Sequence, residues 1–428
     1  MLSSIINAFK VPELRKKILF TLGILALYRF GCYIPVPGIP FNQFAEAFSQ
    51  GGGVSMMMLD LFSGGALENF SVFSLGIMPY ITASIIMQLM QGVIPAVGRW
   101  AKEGETGRRK ITQITRYLTL GLGLINAIGY LLLFKSDAYG ITFSSEVPEA
   151  LTDILIVFTL VAGVAFIMWM GELITQRGVG NGMSLIIFLS IVSRVPAALY
   201  SSITESSADT GMAIAITLLI IVVVLVCIPL IIYMERAQRR IPVNYAKRVQ
   251  GRKMMGGQST YIPLKVNAAG VIPIIFASCL LYFPAQLAAI FNVNWLNTFA
   301  DWCSTGPLNW ILTAVLIVFF AYFYTSMVFN PEDTADNLRK QGGFIPGVRP
   351  GTATVEYIRN VINRVTLPGA IFIACVAVIP TIIFYFTSNE LVQAFGGTSI
   401  LIMIGVALDT MTKIESQLKM HNYDGFFK

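Results

Sequence analysis

Apolar and polar segments alternate along the whole chain. Ten apolar stretches of roughly 16 to 24 residues are long enough to cross a hydrocarbon core about 30 Å thick as α-helices. They begin near Ile18, Val72, Tyr117, Ile154, Met183, Met212, Ala268, Trp310, Leu367 and Thr398. The pattern predicts an all-α integral membrane protein with ten transmembrane helices.

The basic residues predict the side of the membrane on which each gap lies. All but three of the 30 Lys and Arg residues are in the N-terminal arm, in alternate gaps or in the C-terminal tail. The exceptions are Lys135 and Arg194, in opposite gaps, and Arg29, within the first apolar stretch. Because basic loops stay in the cytoplasm, both chain ends are predicted to be cytoplasmic. Cys303 then lies in an external gap, where we expect an impermeant thiol reagent to reach it.

Composition agrees with a membrane protein. Hydrophobic residues make up 55% of the chain and charged residues 12%, whereas soluble proteins average about 25% charged residues. Residues 1–17 precede the first apolar stretch, and Leu2, Ile5, Ile6 and Phe9 recur there at helical spacing. This arm is either a cytoplasmic amphipathic helix on the membrane surface or an ordinary disordered terminus.

The chemistry-bearing residues exclude several kinds of site. One histidine and five scattered cysteines give no spacing suited to a metal site or a disulfide framework. Gly178, Gly180 and Gly182 do not follow a strand, as a dinucleotide-binding loop requires. We therefore expect no metal, no cofactor and no catalytic constellation.

Intramembrane charge is also scarce. Arg29, Arg194, Glu172 and Asp409 lie near the ends of apolar stretches, whereas ion-coupled carriers usually place ionisable groups near the midplane. The distribution favours a passive pathway gated by apolar side chains. A secondary transporter of a small solute is the main alternative, and a membrane-embedded enzyme is a more distant one.

A glycine-bracketed segment precedes the second apolar stretch. Gly51–Gly53 lie before it and Gly64 and Gly65 after it, and about ten residues between flexible joints cannot span a bilayer. The segment is either a half-helix folded back into a cavity or an external amphipathic loop.

Apolar residues recur at helical spacing in three of the stretches. Such stripes usually mark helix packing or lipid contact, but they also suit the lining of a pore. Prolines inside apolar stretches add points at which helices can bend. The stripes are Ile77, Ile81 and Ile85, then Met183, Ile187 and Ile191, then Val271, Ile275 and Cys279, and the prolines are Pro79, Pro229, Pro273 and Pro380.

Several long motifs follow one another along the chain. They are GIMPYITASIIMQL from Gly76, MWMGELITQRGVGNGMSLIIF from Met168, ERAQRRIPVNYAKR from Glu235, STYIPLKVNAAGVIP from Ser259 and IPGVRPG from Ile345. Together they resemble the SecY family of protein-translocation channel subunits, in its bacterial form. The resemblance runs in order from the first stretch to the tail, although Met183 stands where isoleucine is common in the family.

The resemblance implies two pseudo-symmetric five-helix halves that form a clamshell around an hourglass pore. The implied divisions are an N-terminal half at 18–203 with a plug half-helix at about 57–70, a C-terminal half at 204–413 with cytoplasmic loops at about 235–266 and 330–366, and a cytoplasmic tail at 414–428.

The resemblance also implies a role for three sets of residues. An apolar ring closes the pore waist, a plug seals it on the external side, and polar contacts hold a lateral gate through which transmembrane segments leave for lipid. The ring is Ile77, Ile81, Met183, Ile187, Ile275 and Ile402. The plug includes Asp60, Leu61, Phe62, Gly64, Gly65, Leu67 and Glu68, and the gate contacts are Gln88, Thr119 and Asn267. Asp60 and Glu68 are expected to keep the plug wettable once displaced, and removal of about ten residues near Leu61–Phe70 is expected to leave a folded channel.

The basic cytoplasmic gaps are interpreted as a docking surface. Basic clusters attract RNA phosphates and acidic protein surfaces. The alternative interpretation is that these residues only contact the lipid surface. The resemblance implies docking of the motor ATPase SecA or the ribosome on Arg239, Arg240, Lys247, Arg248 and Arg349. Further implied partners are the subunits SecE and SecG, signal sequences, nascent secretory or membrane proteins and membrane lipid. The implied location is the bacterial inner membrane.

Overall fold

The chain is described from a computed structural model. The structure describes residues 9–37, 60, 63–135, 148–204, 210–245, 248–250, 253–255, 259–291, 293–304, 306–387 and 396–424. Helices account for most of these residues, as the apolar pattern predicted.

The helices of the N-terminal half largely follow the predicted stretches. Proline occupies the first turn of α1, α2 and α3, where its missing N–H is not needed. The helices are α1 Pro12–Gly31, α2 Met78–Val93, α3 Pro95–Lys102, α4 Glu105–Lys135, α5 Glu149–Arg177 and α6 Gly182–Thr204.

The C-terminal half alternates long helices with short elements. Asn330 caps α11 by accepting a hydrogen bond from the Glu332 N–H at 3.1 Å. The helices are α7 Thr210–Arg236, α8 Ile272–Phe291, α9 Asn294–Ser304, α10 Pro307–Val328, α11 Pro331–Lys340, α12 Thr352–Thr387 and α13 Gly397–Asp424.

The second predicted stretch does not become helical at Val72. Residues 72–77 form turns, because Gly76 has a positive φ of 55° and Pro79 starts the helix at Met78. At the other end α2 and α3 meet at a bend of 100°. Pro79 and Pro273 therefore begin helices, whereas Pro229 and Pro380 lie inside them as expected.

Membrane-spanning capacity is clearest for a subset of helices. Within the described residues, five helices are long and apolar enough to cross a membrane, and six if the bent α2–α3 pair counts as one span. The helix α1 has Arg15, Lys16 and Lys17 within its first half. All ten predicted stretches nevertheless fall on helices, and the protein is a multi-pass membrane protein.

A small β-structure departs from the all-α prediction. Strand β1, Gln238–Tyr245, pairs antiparallel with β4, Ser259–Lys265, and with β5, Gly343–Phe344. Strands β2, Arg248–Gln250, and β3, Lys253–Met255, form a separate antiparallel pair. Ile241 and Val243 alternate with more exposed residues along β1 and pack in a small core with Leu264, Leu338, Ile345 and Ile358.

Helix packing joins the two halves on both sides of the bundle. On one side α8 packs against α2 and α4, and on the other α13 packs against α1 and α6 while α7 packs against α6. The largest hydrophobic cluster takes side chains from both halves.

The position of Cys303 changes the expected topology test. Cys303, on the short helix α9, is only 3% exposed, and burial raises the pKa of its thiol. A raised pKa leaves less thiolate at neutral pH and slows reaction with a maleimide. Its neighbour Trp302 is 60% exposed.

We predict that Trp302→Cys will react rapidly with an impermeant maleimide in right-side-out vesicles, while the parent chain reacts slowly. Arg109→Cys, whose position is exposed at the start of α4, should show the opposite sidedness. Labelling of Trp302→Cys only in inverted vesicles would reverse the orientation.

Candidate functional site

The six predicted ring residues share the central cluster. Five are at most 7% exposed and Ile275 packs against them partly buried. They come from the start of α2, from α6, α8 and α13, and so from both halves: Ile77, Ile81, Met183, Ile187, Ile275 and Ile402. The structure brings together residues that are up to 325 positions apart, from Ile77 to Ile402.

Glycines set the position of Met183 within this cluster. A Cβ on Gly182 would lie 2.0 Å from the Gly171 carbonyl oxygen, and one on Gly171 would lie 2.3 Å from the Met183 sulfur. Asn181 caps α6 by accepting from the Met183 N–H at 3.2 Å. The glycine motif thus makes a tight turn between α5 and α6, which explains its resemblance to a nucleotide loop.

The predicted plug segment is organised around Asp60. One oxygen of its carboxylate accepts hydrogen bonds from the N–H groups of Leu67 and Glu68, at 3.0 and 3.1 Å, and from the Ser63 hydroxyl at 3.0 Å. Gly64 and Gly65 both have positive φ angles. Asp60 and Ser63 are helical and residues 64–70 form turns, whereas Leu61 and Phe62 lie outside the described residues.

Side chains from α1 and α6 hold this segment against the bundle. The Tyr28 hydroxyl donates to the Ser63 carbonyl at 3.2 Å and lies 2.8 Å from the Ser190 hydroxyl. Arg29 donates to the Gly64 carbonyl. Arg194 forms ion pairs with Asp60 and, at 2.9 Å, with Glu68.

The carboxyl-terminal part of the segment is also buried. Leu67 and Phe70 are 0% and 3% exposed in a second cluster formed with α4 and α5, and Phe70 packs edge-on against Phe134 at 5.3 Å between ring centroids. Asp60 is 0% exposed rather than solvated in this state. The segment therefore contributes to the packed bundle, which changes the expectation that its removal is harmless.

The three predicted gate residues lie on α2, on α4 and just before α8, and they do not bond to one another. The Gln88 amide donates to Ser84 at 3.2 Å, and the Thr119 hydroxyl donates to the Thr115 carbonyl at 2.7 Å. Asn267, just before α8, donates to Glu235 at 2.8 Å. Among the described residues, contact of α8 with α2 and α4 comes from packing rather than from these three polar groups.

The described residues of the predicted docking surface lie on the small β-structure and in the turn after β5. Arg239 and Arg240 are exposed on β1, and Arg240 stacks over the Tyr261 ring at 4.8 Å. Arg349 is exposed in a turn whose flanking Gly347 and Gly351 have positive φ angles. Lys247 lies outside the described residues.

Pairing of β1 with β5 joins the two loops that were predicted to be cytoplasmic. Asn244 lies opposite Phe344, and Ile345 and Val348 pack in the same small core as Ile241. Arg248 is described only as the first residue of the backbone of β2. Strand β1, which carries Arg239 and Arg240, and the turn that carries Arg349 are thus parts of one structural unit.

Two sets of ion pairs were not predicted from the sequence. The first joins Arg194 to Asp60 and Glu68. The second joins Arg116 of α4, which donates through Nε at 2.7 Å, to Glu172 of α5. The first set could have been identified from the sequence, because the predicted plug segment carries acidic residues and Arg194 lies near the end of a span on the same predicted side.

Known proteins are similar to this chain over most or all of its length. A family model described as SecY matches residues 71–411. The protein translocase subunit SecY of Streptomyces coelicolor is 47% identical over 442 residues that cover 100% of both chains.

Solved structures show the same fold. A chain from a structure described as that of a protein-conducting channel matches with a TM-score of 0.63 at 17% identity, covering 93% of this chain and 91% of that one. Another matches with a TM-score of 0.61 at 18% identity and the same coverage. Its plug domain is described as stabilising the closed state of the SecY channel and maintaining a membrane seal.

We predict that Leu67→Ala or Phe70→Ala will destabilise the protein by about 2 to 5 kcal/mol, because each leaves a cavity in the second cluster. Thermal unfolding in detergent measures the effect. Leu132→Ala, at a position 48% exposed on α4, is the matched control and should change stability much less. Equal stability of all three variants would mean that the segment is not anchored by burial.

Proposed function

Because this chain belongs to the SecY family of protein translocase subunits, we propose that it forms a protein-conducting channel in the bacterial inner membrane, with both termini in the cytoplasm. Unfolded secretory chains pass through it, and transmembrane segments leave it sideways into lipid. The observation that carries the proposal is the convergence of the six ring residues from both halves in one apolar cluster.

The ten long helices form two five-helix halves, and the ring closes the pore between them. Apolar side chains such as Ile81 and Ile187 disfavour water in a narrow constriction. They also have no hydrogen-bonding preference for any particular substrate sequence. The closed waist can thus exclude ions, while the open waist accepts polypeptides of unrelated sequence.

The segment around Asp60 is the plug, on the external side of the ring. Its contacts with Tyr28, Arg29 and Arg194 hold it beside α1 and α6. The lateral gate is the contact of α8 with α2 and α4. Since Gln88, Thr119 and Asn267 do not bond across it, apolar packing resists its opening, and an apolar signal helix can replace that packing.

The cytoplasmic unit of β1, β4, β5 and the Arg349 turn is the docking surface for SecA or the ribosome. Neither a nucleotide loop nor a catalytic constellation was found in the sequence, so a partner supplies the energy. SecE and SecG complete the membrane complex. A channel role fits the apolar central cluster better than a small-solute transporter, whose coupling would require charged groups at the midplane.

We predict that Ile187→Asn will increase ion leak through the closed channel, because an amide holds water at the constriction. Defective signal sequences should also be transported more readily. Planar-bilayer conductance and translocation of a signal-defective precursor measure the two effects. Ile187→Leu keeps the waist apolar and serves as control; unchanged leak in an intact Ile187→Asn complex would remove Ile187 from the waist.

We predict that Arg349→Glu will abolish SecA-driven translocation, because it replaces an attraction at the docking surface with a repulsion. The channel is reconstituted with SecE, and protease protection of a precursor is measured with SecA and ATP. Arg349→Lys should restore activity only in part, since it lacks the planar guanidinium.

The reconstitution of the unaltered chain tests the proposed function itself. Protected precursor that depends on SecA and ATP supports the proposed function, and the absence of protected precursor in a complete complex contradicts it.

The control for Arg349→Glu is Arg109→Glu, the same charge change at an exposed site on α4, which should translocate normally. Near-normal translocation by Arg349→Glu would exclude that residue from docking.

A further inference from the structure

Asp60 is a fully buried carboxylate held from two directions. One oxygen accepts the neutral donors of Ser63, Leu67 and Glu68 within its own segment. The other oxygen contacts the Arg194 guanidinium, which belongs to α6 in the wall of the bundle. A buried carboxylate needs a compensating partner, because an unpaired buried charge is strongly unfavourable.

Glycines allow the segment to reach this partner. A Cβ on Gly64 would lie only 3.0 Å from the Ser190 Cα, and one on Gly65 would lie 3.7 Å from Arg194 Nε. Both glycines adopt positive φ angles that side-chain-bearing residues rarely adopt. The backbone of Gly64 and Gly65 can therefore lie directly against α6, beside Ser190 and Arg194.

The other polar contacts between this segment and the wall are weaker in kind. Arg29 and Tyr28 donate to the neutral carbonyls of Gly64 and Ser63. Glu68 also pairs with Arg194, but its side chain is 49% exposed, so solvent screens the attraction. The contact of Asp60 with Arg194 is the one in which both groups are charged and one is fully buried.

We propose that Arg194 is the latch of the plug: its ion pair with Asp60 sets how firmly the segment holds the closed position. The inference rests on the proposed role of this segment as a plug. Arg194 acts as a positioning residue, because it does not enter the central cluster and fixes the segment through Asp60. Displacing Asp60 separates the pair and leaves Arg194 without that partner at the outer mouth.

The test uses three variants: Arg194→Gln, Asp60→Asn and the two combined. Asp60→Asn keeps an acceptor oxygen for Leu67 and Glu68 but removes the charge. Arg194→Gln leaves the buried Asp60 carboxylate without its charged partner, and Asp60→Asn removes the buried charge while Arg194 keeps its exposed pair with Glu68. The combined variant leaves two neutral groups that can bond to each other. The combined variant should therefore hold the segment better than either single variant.

Two measurements separate the latch from the sealing role. Ala66 is 0% exposed within the segment, so the rate at which a water-soluble maleimide labels Ala66→Cys reports how often the segment leaves its place. Ion leak in planar bilayers, measured with native Ala66 and the partner subunits present, reports sealing. Arg109→Gln removes an exposed ion pair on α4 and serves as control.

The latch predicts that Arg194→Gln raises both the labelling rate of Ala66→Cys and ion leak by at least about tenfold, that Asp60→Asn acts in the same direction, and that the combined variant restores most of both. Unchanged labelling rates in the single variants, or additive effects in the combined one, would overturn the latch. A rise in labelling rate without added leak would support the latch and overturn the sealing role of the segment. Should Arg194→Gln fail to accumulate, Asp60→Asn decides alone, since it is isosteric with the native residue.

Discussion

Close packing in the central cluster is the interaction on which the rest of the structure depends. Lipid tails are as apolar as leucine, so hydrophobicity alone does not favour contact between helices inside a bilayer. Shape decides instead. Gly171 and Gly182 let α6 approach α5 closely, and a Cβ on Gly397 would lie 1.9 Å from the Val376 carbonyl oxygen of α12. Small residues thus determine where the large ones lie. Gly171 and Gly182 set the position of Met183, and Gly397 sets the position of α13, which carries Ile402.

The polar contacts that join the helices to one another or to the turn before α2 lie near helix ends in the described residues. Near one end of α6, Arg194 and Asp60 hold the turn before α2. Near other helix ends, Arg116 pairs with Glu172, and Asn267 bonds to Glu235. This separation leaves the ring region apolar. A hydrogen-bonding group there would give water a place to bind, which a dry constriction has to avoid.

The sequence predicted features that depend on local pattern and missed those that depend on distant contacts. The ten stretches follow from apolar length and the stripe of Ile77, Ile81 and Ile85 from periodicity; every stretch overlaps a helix, although those from Val72 and Ala268 begin in turns. The β-structure was missed because Ile241 and Val243 are buried partly by Leu338, Ile345 and Ile358, about 95 to 117 positions away. The partner of Asp60 was missed for the same reason, since Arg194 is brought near it by the packing of α1, α5 and α6. The roles of the ring, gate and docking residues came from family resemblance and not from pattern.

The two seals proposed for the channel share one face of α6. Met183 and Ile187 enter the central cluster, while Ser190 and Arg194, one and two turns further on, contact the segment around Asp60. These four residues are spaced by four, three and four positions, which keeps them on the same side of a helix. Because a helix moves as a rigid rod over such a distance, α6 cannot shift away from α13 without also moving the arginine that contacts Asp60. In the proposed channel, opening of the waist and release of the plug would therefore be mechanically coupled through a single helix.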